Sequence, residues 1–545
     1  MAWTQHLLIA PILLPLVTAA SMLLIDAARQ RVIAMLNVAS TVTLLLIAVA
    51  LLRLAWQSES AVSGVYLLGN WPAPFGIVLV ADRLSTLMVA LAGLLGVASL
   101  SFALARWHRA GVYFHPIFQI QLMGVNGAFL TGDLFNLFVF FELMLAASYG
   151  LLLHGSGAAR VKAGLHYITI GLTASMLFLI GVSLLYSVTG TLNMADMAER
   201  IASLEGDDRV LLEVGAAVLG VAFLVKAGMW PLNLWLPGAY AAAAAPSAAL
   251  FAILTKVGVY VVLRLSLLLF GDGAGASAGF GADWLLIGGL LTIAFGAIGA
   301  LGSQDVRRLA GHCVLISSGT LLAAIGIGDA RVTGAALFYL VSSTLAISAF
   351  FLLIELAERG RVPGADVLAV TMEAFGPREA PPSLDDEGAG IAIPAALAAV
   401  GIAFVLCALL LAGLPPVSGF IGKFALLSAL VNPSDPSAAV SVGRWAMLAL
   451  VILSGLAVVV AMARAGIRTF WAPPERTPPR VRVIEFTPVA VLLALCAALA
   501  ARPAPVFDYL QTAADALHAP DDYREQVLAA LPAERRALGS GESAR

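Results

Sequence analysis

The sequence predicts an all-α membrane protein with about fourteen transmembrane helices. Hydrophobic residues make up 61% of its 545 residues and charged residues only 12%, whereas a soluble domain usually carries about 25% charged residues. Apolar runs of roughly 20 residues, the length that crosses a bilayer, follow one another from His6 to Ala500. This composition and these runs exclude a soluble globular protein.

The apolar runs divide the chain into spans and connections. The predicted spans are residues 6–25, 32–52, 77–104, 113–131, 134–153, 163–188, 210–244 (broken), 247–270, 284–302, 306–326, 332–356, 391–430 (broken), 445–470 and 484–500. The first run has no basic segment before it and no cleavage site after it, so we interpret it as a span and not as a signal peptide. The polar loop 371–390 and the tail from about residue 503, with two short helical patterns, are expected outside the membrane.

Basic residues indicate how the spans are oriented. The odd-numbered connections hold sixteen Lys and Arg residues, and the even-numbered connections with their edges hold six, among them Arg264. Cytoplasmic loops carry the excess of basic residues. The pattern therefore predicts a multi-pass protein of the cytoplasmic (inner) membrane, with odd connections inside and both termini outside.

Lysine is rare and occurs in unusual surroundings. Of the 31 Lys and Arg residues only four are lysines, and three of them, Lys226, Lys256 and Lys423, lie inside apolar spans. An ammonium group at the centre of a bilayer costs about 2.5–3.5 kcal/mol on insertion scales. A buried lysine, unlike an arginine, can give up its proton. These three lysines are the first candidates for proton-carrying groups.

Spans seven and twelve are predicted to be broken helices. Pro231 and Pro237 interrupt span seven, and Pro415 with Pro416 interrupts span twelve. Proline removes a backbone donor and clashes with the preceding turn. Interrupted spans in corresponding positions of two halves are typical of transporters built from inverted repeats. Kinks that serve only helix packing are the alternative, which is less favoured because each break has an intramembrane lysine beside it.

Few acidic or histidine side chains are available as partners. Glu142 lies among apolar residues of span five, where a carboxylate needs a cationic partner or a proton, and Lys226 is the partner that we favour. A static buried ion pair is the alternative. His312, near the start of span ten, is either a proton relay or a hydrogen-bonded core residue. Asp133, at the outer edge of span five, is a candidate for cation contact or for capping the helix.

The titratable groups form a row across the predicted bundle. They are Glu142, Lys226, Lys256, His312 and Lys423 in spans five, seven, eight, ten and twelve. Lateral proton transfer needs such stations, because a charge at membrane depth must be stabilised. The three cysteines lack CxxC spacing and are predicted to serve packing. No nucleophile constellation, phosphate-binding loop or metal-ligand cluster is present in the sequence, so we expect no enzyme active site, no cofactor and no nucleic-acid partner.

Around these residues the sequence resembles the antiporter-like subunits shared by respiratory complex I and the Mrp-type (Mnh or Pha) monovalent cation/proton antiporters. The motifs are GDLFNLFVFFELMLAASYGL, FLVKAGMWPLNLWLPGAYAAAAAPSAALFAILTKVGVY, SQDVRRLAGH and GLPPVSGFIGKF. They cover spans four to thirteen in the family's order. Because a long C-terminal extension and a long lateral helix are both absent, the D subunits of Mrp-type antiporters are the most similar branch.

The resemblance implies an architecture of two inverted five-helix repeats, spans four to eight and nine to thirteen. The corresponding boundaries are 1–112 for the first three spans, 113–270 for the first repeat, 284–470 for the second repeat, and 484–545 for the last span and the tail. It also implies that Glu142 and Lys226 form a charge-switch pair, that Lys256 is the central station, and that Lys423 is the terminal group that exchanges protons. Span eleven departs from the family pattern, because Ser342 and Ser343 stand where relatives often have a histidine.

The resemblance implies a subunit of a hetero-oligomeric antiporter that exchanges sodium or potassium for protons and binds other subunits of that complex. The second interpretation is a proton-pumping subunit of a redox complex of the complex I or membrane-hydrogenase kind. The third is an inert scaffold subunit whose buried charges only determine helix packing.

Overall fold

The computed structural model describes residues 6–359, 395–434, 440–470 and 481–532. Within them, twelve helices are long and apolar enough to cross a membrane. These are Gln30–Gln57, Arg83–Leu104, Leu134–Leu153, Ala158–Thr189, Gly206–Ala227, Ala245–Phe270, Gly275–Gly302, Val306–Ile327, Ala330–Glu358, Ala395–Ala412, Val442–Phe470 and Val483–Ala501. The shorter helices Ala10–Leu23 and Phe114–Leu130 correspond to the first and fourth predicted spans. The all-helical membrane fold class is thus confirmed.

Each predicted span corresponds to a helix or to two consecutive helices, and these helices are called by their span numbers from here on. The two helical patterns of the tail are present as Pro503–His518 and Asp521–Leu528. The polar loop 371–390 lies outside the described residues, and the division into two repeats stays a prediction.

The predicted start of span three is wrong. Residues 77–82 are not helical: strand β2 (Val78–Asp82) pairs antiparallel with strand β1 (Val62–Leu67), which forms a small sheet. The β-branched residues in this segment favour a strand, and Asp82 then caps the helix by accepting a hydrogen bond from Ser85 N at 2.7 Å. Span three therefore begins at Arg83.

Both predicted helix breaks are confirmed. In span seven, Gly206–Ala227 ends at Gly228, whose φ is +73°, and helix resumes at Leu236. In span twelve, Ala395–Ala412 ends at Gly413, whose φ is +78°, and helix resumes at Ser418. Such left-handed backbone favours glycine because it has no Cβ.

A third break has no counterpart among the predicted ones. Span eight consists of Ala245–Phe251 and Leu254–Phe270, with Ala252 and Ile253 between them. No proline stands at this break, so the sequence carries no local signal for it.

A buried ion pair joins spans three and eight at the end of the bundle where the even-numbered connections lie. Arg264, counted above with the even-numbered connections, lies within span eight and pairs with Asp82. The rings of Tyr260 and Tyr523 lie 5.4 Å and 5.3 Å from the guanidinium carbon. Tyr523 belongs to the tail, so the tail covers the ion pair.

Another buried carboxylate lies at the same end of the bundle, at the start of span eleven. Asp329 caps span eleven and accepts hydrogen bonds from Arg444 at 2.7 Å and from Ser434. Burial alone would raise the pKa of Asp329, but these hydrogen bonds lower it to about 2. The tail reaches this end also, since His518 lies 3.0 Å from the Thr333 hydroxyl. The tail thus contacts both span eight and span eleven.

Spans nine and ten approach each other through glycine. A Cβ atom at Gly289 would come within 2.4 Å of the backbone N of Ala323. Small residues allow such close contact between membrane helices.

We expect Gly289→Ala to separate these two helices and to lower the melting temperature of the purified protein in detergent. Overpacking of this kind costs about 1–3 kcal/mol. Gly220→Ala is the matched control, because a Cβ at Gly220 would meet no atom within 4 Å. Equal melting temperatures for the two variants would contradict the close packing described above.

Candidate functional site

Lys226 lies in the last turn of the helix before the break in span seven. Its side chain is buried, and Nζ has no hydrogen-bond partner among the described residues. The helix ends one residue later because Gly228 takes the left-handed conformation. An ammonium group here is therefore without direct stabilisation by a neighbouring polar atom.

Glu142 does not form the direct ion pair with Lys226 that the sequence suggested. The carboxylate is half-buried, and its Oε1 accepts a hydrogen bond from Ser175 of span six. Glu142 and Lys226 nevertheless interact electrostatically. Glu142 and Lys226 are thus not in direct contact, and only the Glu142 carboxylate has a hydrogen-bond partner among the described residues.

Lys256 is fully buried and is hydrogen bonded to a neighbouring span. Its Nζ donates to Ser317 Oγ of span ten at 2.7 Å, and Ser317 Oγ lies 2.9 Å from Ser343 Oγ of span eleven. A Cβ at Gly258 would lie 2.6 Å from Ala227 N, so the backbones that carry Lys256 and Lys226 are in close contact.

Lys423 is held by the broken end of its own span. Its Nζ donates to the carbonyl oxygens of Ala412 at 2.8 Å and Leu411 at 3.3 Å. These carbonyls end the helix before the break, where the helix dipole favours a cation. Gly413 gives the side chain room, because a Cβ there would come within 2.4 Å of Lys423 Cδ.

A small cavity lies between the surroundings of Lys256 and those of Lys423. It has about 10 Å³ of room for the centre of a water molecule, and its lining includes Ser317, Ser343, Leu411 and Gly419. One buried water needs roughly 10–15 Å³ by this measure. The cavity thus adjoins the serine pair on one side and the helix break of span twelve on the other.

The serines of span eleven join two neighbouring spans. Ser343 contacts Ser317 of span ten, and Ser342 Oγ lies 2.8 Å from Ser418 Oγ in the second half of span twelve. Hydroxyl groups can both donate and accept a hydrogen bond. A polar connection between spans ten and twelve is therefore made without a titratable group.

The structure does not bring His312 into this row. Its ring packs against span nine, 6.2 Å from the Phe295 ring and close to Gly299, and its Nδ1 has no partner among the described residues.

Asp133, the candidate for cation contact or helix capping, caps span five by accepting a hydrogen bond from Asn136 N at 2.8 Å. Burial raises the pKa of the Asp133 carboxyl, although backbone N–H groups oppose the shift.

Sequence reasoning missed the serines that hold the charged groups, Ser175 and Ser317. Serine is common in this sequence, and nothing near these two positions distinguishes them from other serines in apolar spans. Only the packing of spans six and ten identifies them.

The chain matches the sequence model of a protein family over residues 131–372. That family is described as NADH:quinone oxidoreductase/Mrp antiporter, transmembrane. The matched region includes Glu142, Lys226, Lys256 and His312.

Similar proteins cover nearly the whole chain. The D subunit of a probable K⁺/H⁺ antiporter of Rhizobium meliloti is 59% identical over 97% of this chain and 98% of its own length. The D subunit of an Na⁺/H⁺ antiporter of Alkalihalophilus pseudofirmus is 35% identical over 96% and 99%. A chain in the Mrp complex of Dietzia sp. has a TM-score of 0.80 with 27% identity over 97% of this chain and 100% of its own.

The different surroundings of two lysines lead to a stability prediction. Lys226→Met removes an ammonium without a hydrogen-bond partner, so the melting temperature of the purified protein should stay unchanged or rise. Lys423→Met leaves two carbonyls without their donor and should lower it, because an unsatisfied buried group costs about 1–3 kcal/mol. Thermal unfolding in detergent measures both, and equal shifts would contradict the assignment.

Proposed function

The chain belongs to the D-subunit family of multisubunit monovalent cation/proton antiporters, and on this basis we propose that it carries protons along a buried row of side chains in such a complex. The cation that we propose is potassium, because the relative with 59% identity is named for K⁺/H⁺ antiport. Sodium is the alternative, since the relative with 35% identity is named for Na⁺.

The observation that carries this proposal is the connection from Lys256 to Lys423. Lys256 is bonded to Ser317, and Ser317 to Ser343. A cavity of water size then separates these serines from the broken end of span twelve, where Lys423 is bound. A proton can pass along hydroxyl groups and water, while the lysines stabilise the charge at each end.

Glu142 and Lys226 would act at the other end of the row as a switch. Lys226 has no hydrogen-bond partner among the described residues, so its ammonium depends on the charge of Glu142. When Glu142 takes up a proton, that stabilisation is lost and the cost of a buried ammonium is no longer offset. The proton of Lys226 then moves toward Lys256, whose helix is packed against the same break.

We place the complex in the cytoplasmic membrane, with the arginine-rich odd connections inside and both termini outside. The excess of basic residues in these connections supports this orientation. His312 lies beside span nine and is left outside the row in this proposal, because serines already join spans ten and twelve.

We expect Glu142→Gln, Lys226→Ala and Lys423→Ala each to reduce proton-coupled potassium flux to less than about a tenth, because each removes a charge-stabilising station. Flux is measured as the collapse of a pH gradient in membrane vesicles from cells that express all subunits, with KCl and NaCl added separately. Lys162→Ala is the matched control, since Lys162 is exposed. Normal flux in all three variants of the assembled complex would favour an inert scaffold.

A second expectation concerns Ser317, the partner of Lys256. Ser317→Ala removes the hydroxyl between Lys256 and Ser343 and should slow flux by at least about tenfold. Thr320→Val on the same helix is the control, because Thr320 donates to the carbonyl of Ile316 at 2.8 Å within its own helix. The same assay measures both, and equal rates for the two variants would rule out the hydroxyl connection.

A further inference from the structure

An apolar groove lies between the first half of span twelve and span fourteen. Its volume is about 460 Å³, within the range of about 300–1,000 Å³ that is usual for ligand pockets. Span twelve contributes Ala396 and Ala399 to its walls, and span fourteen contributes Phe486, Ala490 and Ala494 among others. Because alanine side chains are short, they leave this space open between the two helices. None of these residues belongs to the row proposed above.

The groove extends along one leaflet of the bilayer. It begins at Arg482, and Ala494 follows twelve residues later, about 18 Å along the helix. Half of the hydrocarbon core is about 15 Å thick. Beyond this depth the second half of span twelve packs against span fourteen, and Ser418 interacts with Cys496. A transmembrane helix needs a groove across the whole membrane, whereas the acyl chain of a lipid needs a groove of one leaflet.

The groove faces away from the interior of the bundle. Val483 and Val491 in its lining are 83% and 45% exposed, and spans three and eleven pack against span fourteen from the inside. An empty groove would leave its walls without van der Waals contacts on one side. An apolar occupant from the surrounding membrane supplies these contacts.

Positive charge lies where the groove begins, at the end of the bundle with the odd-numbered connections. The exposed Arg482 donates from Nη1 to the carbonyl of Ala105 at 3.2 Å, and the next residue, Arg106, is also exposed. Glu485, one turn further along span fourteen, is buried and pairs with Arg359 at 2.8 Å. Neither Arg482 nor Arg106 forms an ion pair with a carboxylate of the described residues. Their guanidinium groups are therefore available to an anion.

These charges favour a phosphate group as the polar part of the occupant. A guanidinium has five N–H donors in a fork that matches the oxygens of a phosphate, and Arg482 uses one of its nitrogens on Ala105. Basic pockets between transmembrane helices on the cytoplasmic side bind anionic lipid headgroups. An anionic phospholipid thus has a headgroup that matches the arginines and a chain that matches the apolar groove.

We propose that the groove holds an acyl chain of an anionic phospholipid and that Arg482 and Arg106 bind its phosphate. In the orientation proposed above, this lipid belongs to the cytoplasmic leaflet. The inference goes beyond the proton row and does not depend on it. The lipid fills the space beside the half-helix Ala395–Ala412, which ends with the carbonyls that bind Lys423, and so stabilises the position of that half-helix.

Native mass spectrometry of the purified full-length chain tests the headgroup site. Delipidated protein is titrated with dioleoyl phosphatidylglycerol or with dioleoyl phosphatidylcholine, and the wild type should bind one phosphatidylglycerol at least about fivefold more tightly. Arg482→Gln should remove this preference. Arg464→Gln is the matched control, because Arg464 is also exposed at this end and donates to a carbonyl of a neighbouring span, that of Leu301, but lies outside the groove.

A second pair of variants tests the groove itself. Ala490→Phe places an aromatic ring in the groove and should abolish binding of the phosphatidylglycerol. Ala498→Phe is the control, because Ala498 is exposed on the same helix and does not line the groove. This variant should bind the lipid as the wild type does.

Several outcomes would overturn the proposal. They are equal binding of the two lipids by the wild type, equal losses in Arg482→Gln and Arg464→Gln, and unchanged binding in Ala490→Phe. In the complete complex, loss of another subunit from the Ala490→Phe variant with no change in retained lipid would assign the groove to a protein helix and would also overturn it. If Arg482→Gln fails to fold, Ala490→Phe against Ala498→Phe decides.

Discussion

The cost of an ammonium group in an apolar bundle is the constraint on which the rest of this structure depends. Each buried lysine meets that cost differently. Lys423 is held by two backbone carbonyls and Lys256 by one hydroxyl, whereas Lys226 has no bonded partner among the described residues and depends on the distant charge of Glu142. Because these stabilisations differ in strength and kind, a proton does not have the same free energy at each station. In the proposed row, the three lysines would therefore bind a proton with different affinities.

The helix breaks follow from the same constraint. An uninterrupted helix uses its carbonyls internally, so it has none to offer a lysine. Ending the helix at Gly413 leaves the carbonyls of Leu411 and Ala412 free for Lys423, and the missing Cβ of Gly413 leaves room for the side chain. At the break of span seven, Ser318 instead occupies the carbonyl of Ala227 at 2.5 Å. The two breaks therefore have similar backbone conformations, but only the break in span twelve provides carbonyl oxygens that bind its lysine.

Much of this fold could be predicted from local sequence because the membrane makes local composition decisive. Apolar length identified the spans, the proline pairs identified two breaks, and lysine within apolar spans predicted three buried side chains, Lys226, Lys256 and Lys423. The strand before Arg83, the break at Ala252 and the partner of Arg264 could not be found in this way. Each depends on which element packs against another, and no single segment contains that information. The sequence did not identify Ser317 for the same reason, because only the packing of spans eight and ten brings Ser317 next to Lys256.

The hydroxyl groups of span eleven limit what the middle of the proposed row can do. A histidine can hold a proton as a charged intermediate, whereas Ser317 and Ser343 can only pass one on. In the proposed row, a proton would cross from Lys256 to Lys423 without stopping, so both lysines and the small cavity between them would have to be in place together. After each transfer the two hydroxyls point the opposite way and must rotate back before the next, which hydroxyl groups do readily. In the proposed row, Lys256 and Lys423 on either side of the serines would therefore control this transfer, without a titratable group between them.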